Sequence, residues 1–218
     1  MNKKAFIFDL DGVIVDTAKY HFLAWQKLAQ ELNIEFTTEH NEELKGVSRV
    51  RSLDIILELG KIDASHEEKT KWLIQKNEVY LSYLVDMDER EILPGVMPIL
   101  EFLKENNQLI ALGSASKNAR PILEKTKIIH YFDAIVDGND VSNAKPDPEV
   151  FLRAAQLLNT SNKNAIVFED SVAGIQAANV AQMISIGIGK NEILHEAKFI
   201  FKDFTTMDFD FIEALIKK

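Results

Sequence analysis

Asp9 and Asp11 follow the apolar run Ala5-Phe6-Ile7-Phe8 and are separated by a single residue. In extended backbone, residues i and i+2 point to the same side, so both carboxylates can face one reacting group. A carboxylate with an ordinary pKa of about 3.9 is ionised at neutral pH, and Asp9 can therefore attack phosphorus without a base to activate it. Asp11 is left for a second task, protonating a leaving oxygen and later taking the proton of an incoming hydroxyl. That task needs a pKa raised by burial or by like charge. Glu169 and Asp170 follow another apolar run, Ala165 to Phe168. Clustered anions need a cation, and oxygen ligands without Cys or His suit Mg²⁺ better than zinc. The expected metal set is Asp9, Glu169 and Asp170, with the Asp11 carbonyl as a further oxygen. Lys145 would offset phosphoryl charge, while Ser114 and the amides of the following helix start would hold phosphate oxygens.

Each of these features has an ordinary reading when taken singly. Asp-x-Asp suits a turn after a strand, Lys145-Pro146 suits a plain turn, and Glu169-Asp170-Ser171 suits a helix start. Their order along the chain carries the inference, because polar residues follow one apolar run after another, and in open parallel sheets ligands bind at the carboxyl ends of the strands. A second segment, Lys45-Gly46-Val47-Ser48-Arg49 with Lys76-Asn77 further on, stays open on residues alone. It fits a solvated loop with Ser48 capping a helix, and it fits equally an anion site where Gly46 permits close backbone approach and Arg49 grips a phosphate. Phe22, Trp25 and Leu28 read as helical core, and His21 as a structural histidine.

The elements that must position these groups are legible as short apolar runs: Ala5 to Phe8, Leu109 to Leu112, Ala134 to Val136, Ala165 to Phe168 and Met183 to Ile188. Helical patterns at Val96 to Glu105, Glu149 to Leu158 and Val172 to Ala181 lie between most of them. Strand alternating with helix predicts a parallel sheet covered on both faces. From Thr17 to Ile92 the alternation stops. Phe22, Trp25, Leu28, Ala29 and Leu32, then Leu53, Ile56 and Leu57, then Trp72, Val79, Tyr80 and Tyr83, recur at helical spacing, which predicts a helical insertion after the first strand. Leu93-Pro94-Gly95-Val96 marks the return.

Composition bounds the rest. The chain has 218 residues, 46% of them hydrophobic, enough to bury a full core in one large domain or two small ones. With 25 Lys and Arg against 34 Asp and Glu, and no long basic run, a broad surface for nucleic acid or anionic membrane is not expected. The absence of cysteine removes disulfides, thiolate metal sites and a Cys nucleophile. Met1-Asn2-Lys3-Lys4 resembles a signal-peptide opening, but Asp9 and Asp11 cut the apolar run short. Nowhere do about 18 apolar residues run uninterrupted. The expectation is a cytoplasmic monomer.

Phe8-Asp9-Leu10-Asp11-Gly12-Val13, Ser114, Lys145-Pro146 and Glu169-Asp170 resemble the four motifs of the haloacid dehalogenase superfamily, over nearly the whole chain. Within it, Asp16-Thr17-Ala18 with His21, Trp25, Lys45-Gly46-Val47-Ser48-Arg49, Ser52, Lys76-Asn77 and Gly113-Ser114-Ala115-Ser116-Lys117-Asn118 is similar to the beta-phosphoglucomutases. The resemblance implies an α/β fold, with a Rossmann-like parallel-sheet core from residues 1–16 and 93–218 and an inserted helical cap, 17–92, that sets substrate specificity. It implies interconversion of β-D-glucose 1-phosphate and D-glucose 6-phosphate through an aspartyl-phosphate enzyme, with Mg²⁺ as cofactor and glucose 1,6-bisphosphate as intermediate or activator.

Carried over residue by residue, Asp9 is the nucleophile and Asp11 the general acid and base. Asp9, Asp11, Glu169 and Asp170 are the magnesium environment, and Ser114 and Lys145 hold the transferring phosphate. Arg49 holds the other phosphate; His21, Lys76 and the Gly46 to Ser52 segment meet sugar hydroxyls; Ser116 and Asn118 border the pocket. Thr17, Trp25, Lys45, Val47, Ser48, Ser52 and Ala115 complete the expected substrate-binding set. Two positions depart from the pattern: Ala144 replaces the usual Ser or Gly before the motif lysine, and Ala18 stands where many phosphatase relatives carry an acid. The competing expectations are a sugar-phosphate phosphatase on the same scaffold and a noncatalytic phosphosugar-binding regulator.

Overall fold

Ala5-Phe6-Ile7-Phe8 forms strand β1 (Ala5–Phe8), and all four residues are buried. A strand without polar alternation is covered on both faces, and the rest of the sheet shows why. The computed structural model describes residues 3–217; Met1, Asn2 and Lys218, assigned from sequence to the chain's core segments, lie outside the described residues. Strands β2 (Leu109–Gly113), β3 (Ala134–Val136), β4 (Ala165–Glu169), β5 (Ile184–Ile188) and β6 (Phe199–Phe201) join β1 in one sheet of order β3-β2-β1-β4-β5-β6. Every pairing in it is parallel.

Phe8 is level with Leu112 on one side and Phe168 on the other. The residues that follow, Asp9, Gly113-Ser114 and Glu169-Asp170, therefore leave the sheet side by side at the point where strand order reverses, which is where open α/β sheets form their crevice. Backbone bonds fix that edge: Asp9 N donates to Phe168 O at 3.0 Å and Ser114 N to Val136 O at 3.0 Å.

Alternate residues of β1 feed two cores. Phe6 and Phe8 pack with Ile110, Leu112, Ile166 and Phe168 under helices α5 (Val96–Glu105), α6 (Ala119–Lys125) and α9 (Phe209–Lys217), while Ala5 and Ile7 pack with Ala111 and Val167 under α7 (Glu149–Leu157) and α8 (Val172–Val180). Five of the six strands are those expected, with ends shifted by a residue. The sixth, β6, was not foreseen. It is a three-residue edge strand, half-buried and flanked by Lys198 and Lys202, too short for its period to register.

The helical insertion comprises α1 (Ala18–Glu31), α2 (Thr38–Glu42), α3 (Arg49–Gly60) and α4 (His66–Tyr83). Its starts obey capping chemistry: Ser48 Oγ accepts from Arg51 N, and Ser65 with Glu68 forms a reciprocal capping box. Trp25, Leu28, Ala29, Leu53, Ile56 and Leu57 make a third apolar cluster, separate from the two sheet cores. The chain enters and leaves this cap along paired segments, with Asp16 N donating to Glu91 O at 2.8 Å and Leu93 N to Ile14 O at 3.0 Å. Among the described residues no helix is long and apolar enough to cross a membrane.

Candidate active site

At the carboxyl end of β1, the Lys145 side chain is fully buried between two carboxylates: its Nζ donates to Asp9 Oδ1 at 2.5 Å and also to Glu169 Oε1. Burial pulls the ammonium pKa down, yet the two negative charges overcome that and hold it above its ordinary value. Glu169 spends its other oxygen on Ser171, accepting from both the amide at 2.9 Å and the hydroxyl at 2.8 Å. Both of its oxygens are therefore engaged, one of them on Lys145. Ser114 lies buried beside this group, and its Oγ accepts from Ser116 N at 3.1 Å, which leaves its own proton for an incoming oxygen. The Lys145–Pro146 bond, left undecided by sequence, is cis.

Asp11 faces away from this floor toward the cap. Thr17 Oγ1 donates to Asp11 Oδ1, and His21 Nε2 stands 3.6 Å from the same oxygen. The second contact is no ion pair, because burial and the nearby Lys76 and Arg49 charges push the His21 pKa well below its ordinary value. A neutral His21 that accepts at Nδ1 from Lys76 Nζ, 2.8 Å away, carries its proton on Nε2, directed at Asp11. Burial raises the Asp11 pKa, against the opposing Thr17 hydrogen bond and the Lys76 and Lys145 charges. That is the direction an acid catalyst needs. Lys76 is itself buried, with its ammonium over the Trp25 ring at 4.6 Å and the Tyr80 ring at 5.0 Å. Burial first, and Arg49 second, bring its pKa down to about 7.

Core and cap close around a cavity of about 530 Å³. Of the residues singled out from sequence, Asp9, Asp11, His21, Trp25, Lys45, Gly46, Val47, Ser48, Arg49, Ser52, Lys76, Ser114, Ala115, Ser116, Lys145 and Asp170 line it. Thr17, Asn118 and Glu169 do not; they stand behind the wall and hold its members. Asn118 Nδ2 donates to Asn77 Oδ1 at 3.2 Å and so ties the core loop after β2 to cap helix α4. In the Lys45 to Arg49 segment Ser48 caps α3, and Arg49 faces the cavity. The half-buried Arg49 guanidinium has its pKa lowered by burial, and no carboxylate of the described residues opposes that. Gly46 has φ +73°, and a Cβ there would lie 2.3 Å from Ser171 Oγ, so only glycine lets the cap loop sit this close to the core.

Sequence reasoning missed part of the wall: Asn41, Leu44 and Leu73 from the cap, and Gly138, Val141, Ser142, Asn143 and Val150 from the core. Ser142-Asn143 adjoins the motif lysine and carried a usable signal. The apolar residues carried none that separates a pocket wall from a core.

The donor set fits a hard divalent cation. Asp9, Asp11, Glu169 and Asp170 crowd together, with Lys145 between Asp9 and Glu169 and Lys45 at 3.6 Å from Asp170 Oδ2. Burial and then the Glu169 charge raise the Asp170 pKa to about 7, and burial lifts Asp9 well above the usual carboxylate range despite Lys145. Such under-compensated carboxylates call for more positive charge. Gly12, at φ +80°, admits the Asp170 carboxylate to within 2.3 Å of where a Cβ would stand, bringing it against the loop that carries Asp9 and Asp11. No three His, Asp or Glu side chains among the described residues form a ready-made cage. Mg²⁺ commonly takes one or two carboxylates and fills its octahedron with water and substrate oxygens, so Asp9 and Asp170 suffice as side-chain ligands.

The family model described as haloacid dehalogenase-like hydrolase matches residues 3–182. The chain is 41% identical to the beta-phosphoglucomutase of Bacillus subtilis over 201 residues, covering 91% of this chain and 89% of that protein. It is 33% identical to a phosphorylated carbohydrates phosphatase of Thermotoga maritima, covering 82% and 81% respectively. The crystal structure of a beta-phosphoglucomutase from Clostridium difficile superposes with a TM-score of 0.93 at 44% identity, covering 99% of this chain and 98% of that one.

Proposed function

The chain belongs to the haloacid dehalogenase-like hydrolase family, and from that premise we propose that it is a phosphomutase interconverting β-D-glucose 1-phosphate and D-glucose 6-phosphate. The observation that carries the reading is a cavity with two cationic poles: Lys145 beside Asp9 on the floor, and in the cap wall Arg49, a half-buried guanidinium with no carboxylate partner among the described residues. A phosphatase needs one phosphate pole. An enzyme that moves a phosphoryl group between two hydroxyls of one sugar, through a bisphosphate, needs two.

In the first half-reaction Asp9 attacks phosphorus, the Asp9 oxygen to phosphorus bond forms, the bond from phosphorus to the sugar oxygen breaks, and Asp11 gives that oxygen its proton. In the second, a hydroxyl of the other sugar phosphate passes its proton to Asp11 and takes the phosphoryl group, restoring Asp9. Glucose 1,6-bisphosphate joins the two halves and turns over between them, so that each phosphate visits Asp9 once and Arg49 once. Lys145 and Ser114 balance and orient the phosphoryl oxygens. Mg²⁺, held by Asp9 and Asp170, would supply positive charge against the developing phosphoryl charge.

Water is the rival nucleophile. We assign residues 17–92 the part of a cap whose closure excludes it, a division supported by the paired crossings at Ile14–Leu93 and Asp16–Glu91. A cytoplasmic enzyme accords with a substrate too polar to cross a bilayer unaided. The test is incubation with magnesium, β-glucose 1-phosphate and a trace of the bisphosphate, assaying glucose 6-phosphate and free phosphate together. Glucose 6-phosphate in large excess over phosphate is expected; stoichiometric phosphate release would replace this reading with the phosphatase one.

A further inference from the structure

Tyr80, on the inner face of α4, is fully buried, and its hydroxyl is a buried side-chain oxygen without a hydrogen-bond partner among the described residues. Such a group gives up its hydrogen bonds to water and regains none, whereas a phenylalanine of the same shape would carry no such penalty. Packing alone therefore does not account for a tyrosine here. Its surroundings offer another account. The ring stacks on His21 at a centroid distance of 4.0 Å and 23° between planes, and it offers its face to the Lys76 ammonium at 5.0 Å. His21, on which the ring stacks, stands 3.6 Å from the Asp11 oxygen that Thr17 also holds, so Tyr80, His21, Thr17 and Asp11 form one cluster, in which the Tyr80 hydroxyl meets hydrogen-bond geometry with no described residue.

Thr17 has one hydroxyl proton, and in this arrangement Asp11 Oδ1 receives it. One oxygen of Asp11, which itself lines the cavity, is thus spent on Thr17. For that oxygen to reach a sugar hydroxyl the carboxylate has to turn from Thr17, and the buried Thr17 hydroxyl then loses its acceptor. The idle oxygen in this cluster is that of Tyr80.

We propose that Tyr80 is a positioning residue for the acid–base step, its hydroxyl accepting the Thr17 proton when Asp11 turns from Thr17 to the sugar oxygen. The unpartnered hydroxyl is then one half of an exchange: in one position of Asp11 the Tyr80 oxygen is idle, in the other it replaces the carboxylate, and Thr17 is satisfied in both. The inference rests on the assignment of Asp11 as general acid and base under the proposed function, and it adds to it a residue that touches neither the substrate nor the reacting atoms.

The test is Tyr80→Phe in the full chain with magnesium, which keeps the ring and its stack on His21. Expected are a fall of about tenfold in mutase kcat, a KM for the sugar phosphate within about twofold of wild type, a larger share of phosphoenzyme lost to water, and an unfolding temperature equal to or above wild type. In a Thr17→Val background the same substitution is expected to cost almost nothing further. Wild-type kcat and partition in Tyr80→Phe would overturn the proposal, as would full additivity with Thr17→Val or a drop in kcat that merely follows lost stability. Phosphoenzyme formation from glucose 1,6-bisphosphate, timed in both proteins, separates the two layers. A wild type that forms phosphoenzyme but no glucose 6-phosphate defeats the mutase reading alone, and Tyr80 is then judged on the phosphoenzyme rate.

Discussion

Lys76 places an ammonium in the cap with no carboxylate of the described residues in contact: two ring faces and one imidazole nitrogen are its company. The consequence for stability has a definite sign. Unfolded, this lysine titrates near about 10.4; folded, at about 7. Below pH 7 both states carry the proton, and the native state bears the whole cost of burying the charge. Between the two values the unfolded chain keeps a proton that the native state has shed, so native stability rises with pH across that window. Lys76→Met, close in volume, is therefore expected to be more stable than wild type by roughly 1–3 kcal/mol at pH 6, with the gap closing toward pH 9. Urea unfolding at the two pH values measures it, and a variant less stable than wild type at pH 6 would show that the ring faces and His21 more than offset the burial. Sequence gave no hint of this. Lys76 was legible as a pocket residue, but its apolar cage is assembled from α1 and α4, 50 residues apart, which no local pattern reports.

Elements were easier to read than the contacts between them. Runs such as Ala5 to Phe8 and Ala165 to Phe168 are apolar throughout because they are buried on both faces, and that same property made them visible and placed Asp9 and Glu169 at their ends. What the runs could not give was the division of labour at those ends: Glu169 and Asp170 are adjacent, yet one anchors Lys145 and the other faces the cavity. The Lys45 to Ser48 loop leading into α3 is a similar case, its glycine legible as permissive but its neighbour Ser171 not. An alanine at position 46 would have to hold φ near +73°, at a cost of about 1–2 kcal/mol, and its Cβ would meet Ser171 Oγ at 2.3 Å. The loop would back away and leave a path for water. Gly46→Ala is accordingly expected to lower the ratio of glucose 6-phosphate to free phosphate by about tenfold, with phosphoenzyme formation from a small donor little changed. A preserved product ratio would mean that this contact does not seal the site.

At the scale of the whole molecule, a chain of net charge −9 must draw in a dianion. It does so by gathering cations around one cavity, where Lys45, Arg49, Lys76, Lys117 and Lys145 face a shared space across the seam between core and cap. Low-dielectric walls make those charges count for more than their number suggests. The arrangement also separates binding from chemistry: Lys145 is paired with Asp9 in the core, while Arg49 opens helix α3 of the cap. Removing Arg49 should therefore leave the Asp9 floor intact and disable only the steps that need the second phosphate held. For Arg49→Ala the expected result is a loss of about 100-fold in mutase turnover, with aspartyl-phosphate formation from a small phosphodonor such as acetyl phosphate within a few-fold of wild type. Radiolabel trapping of the phosphoenzyme beside a coupled glucose 6-phosphate assay reads both. If the two rates fell together, Arg49 would belong to the same pole as Lys145, and a single-phosphate enzyme would be the better description of the cavity.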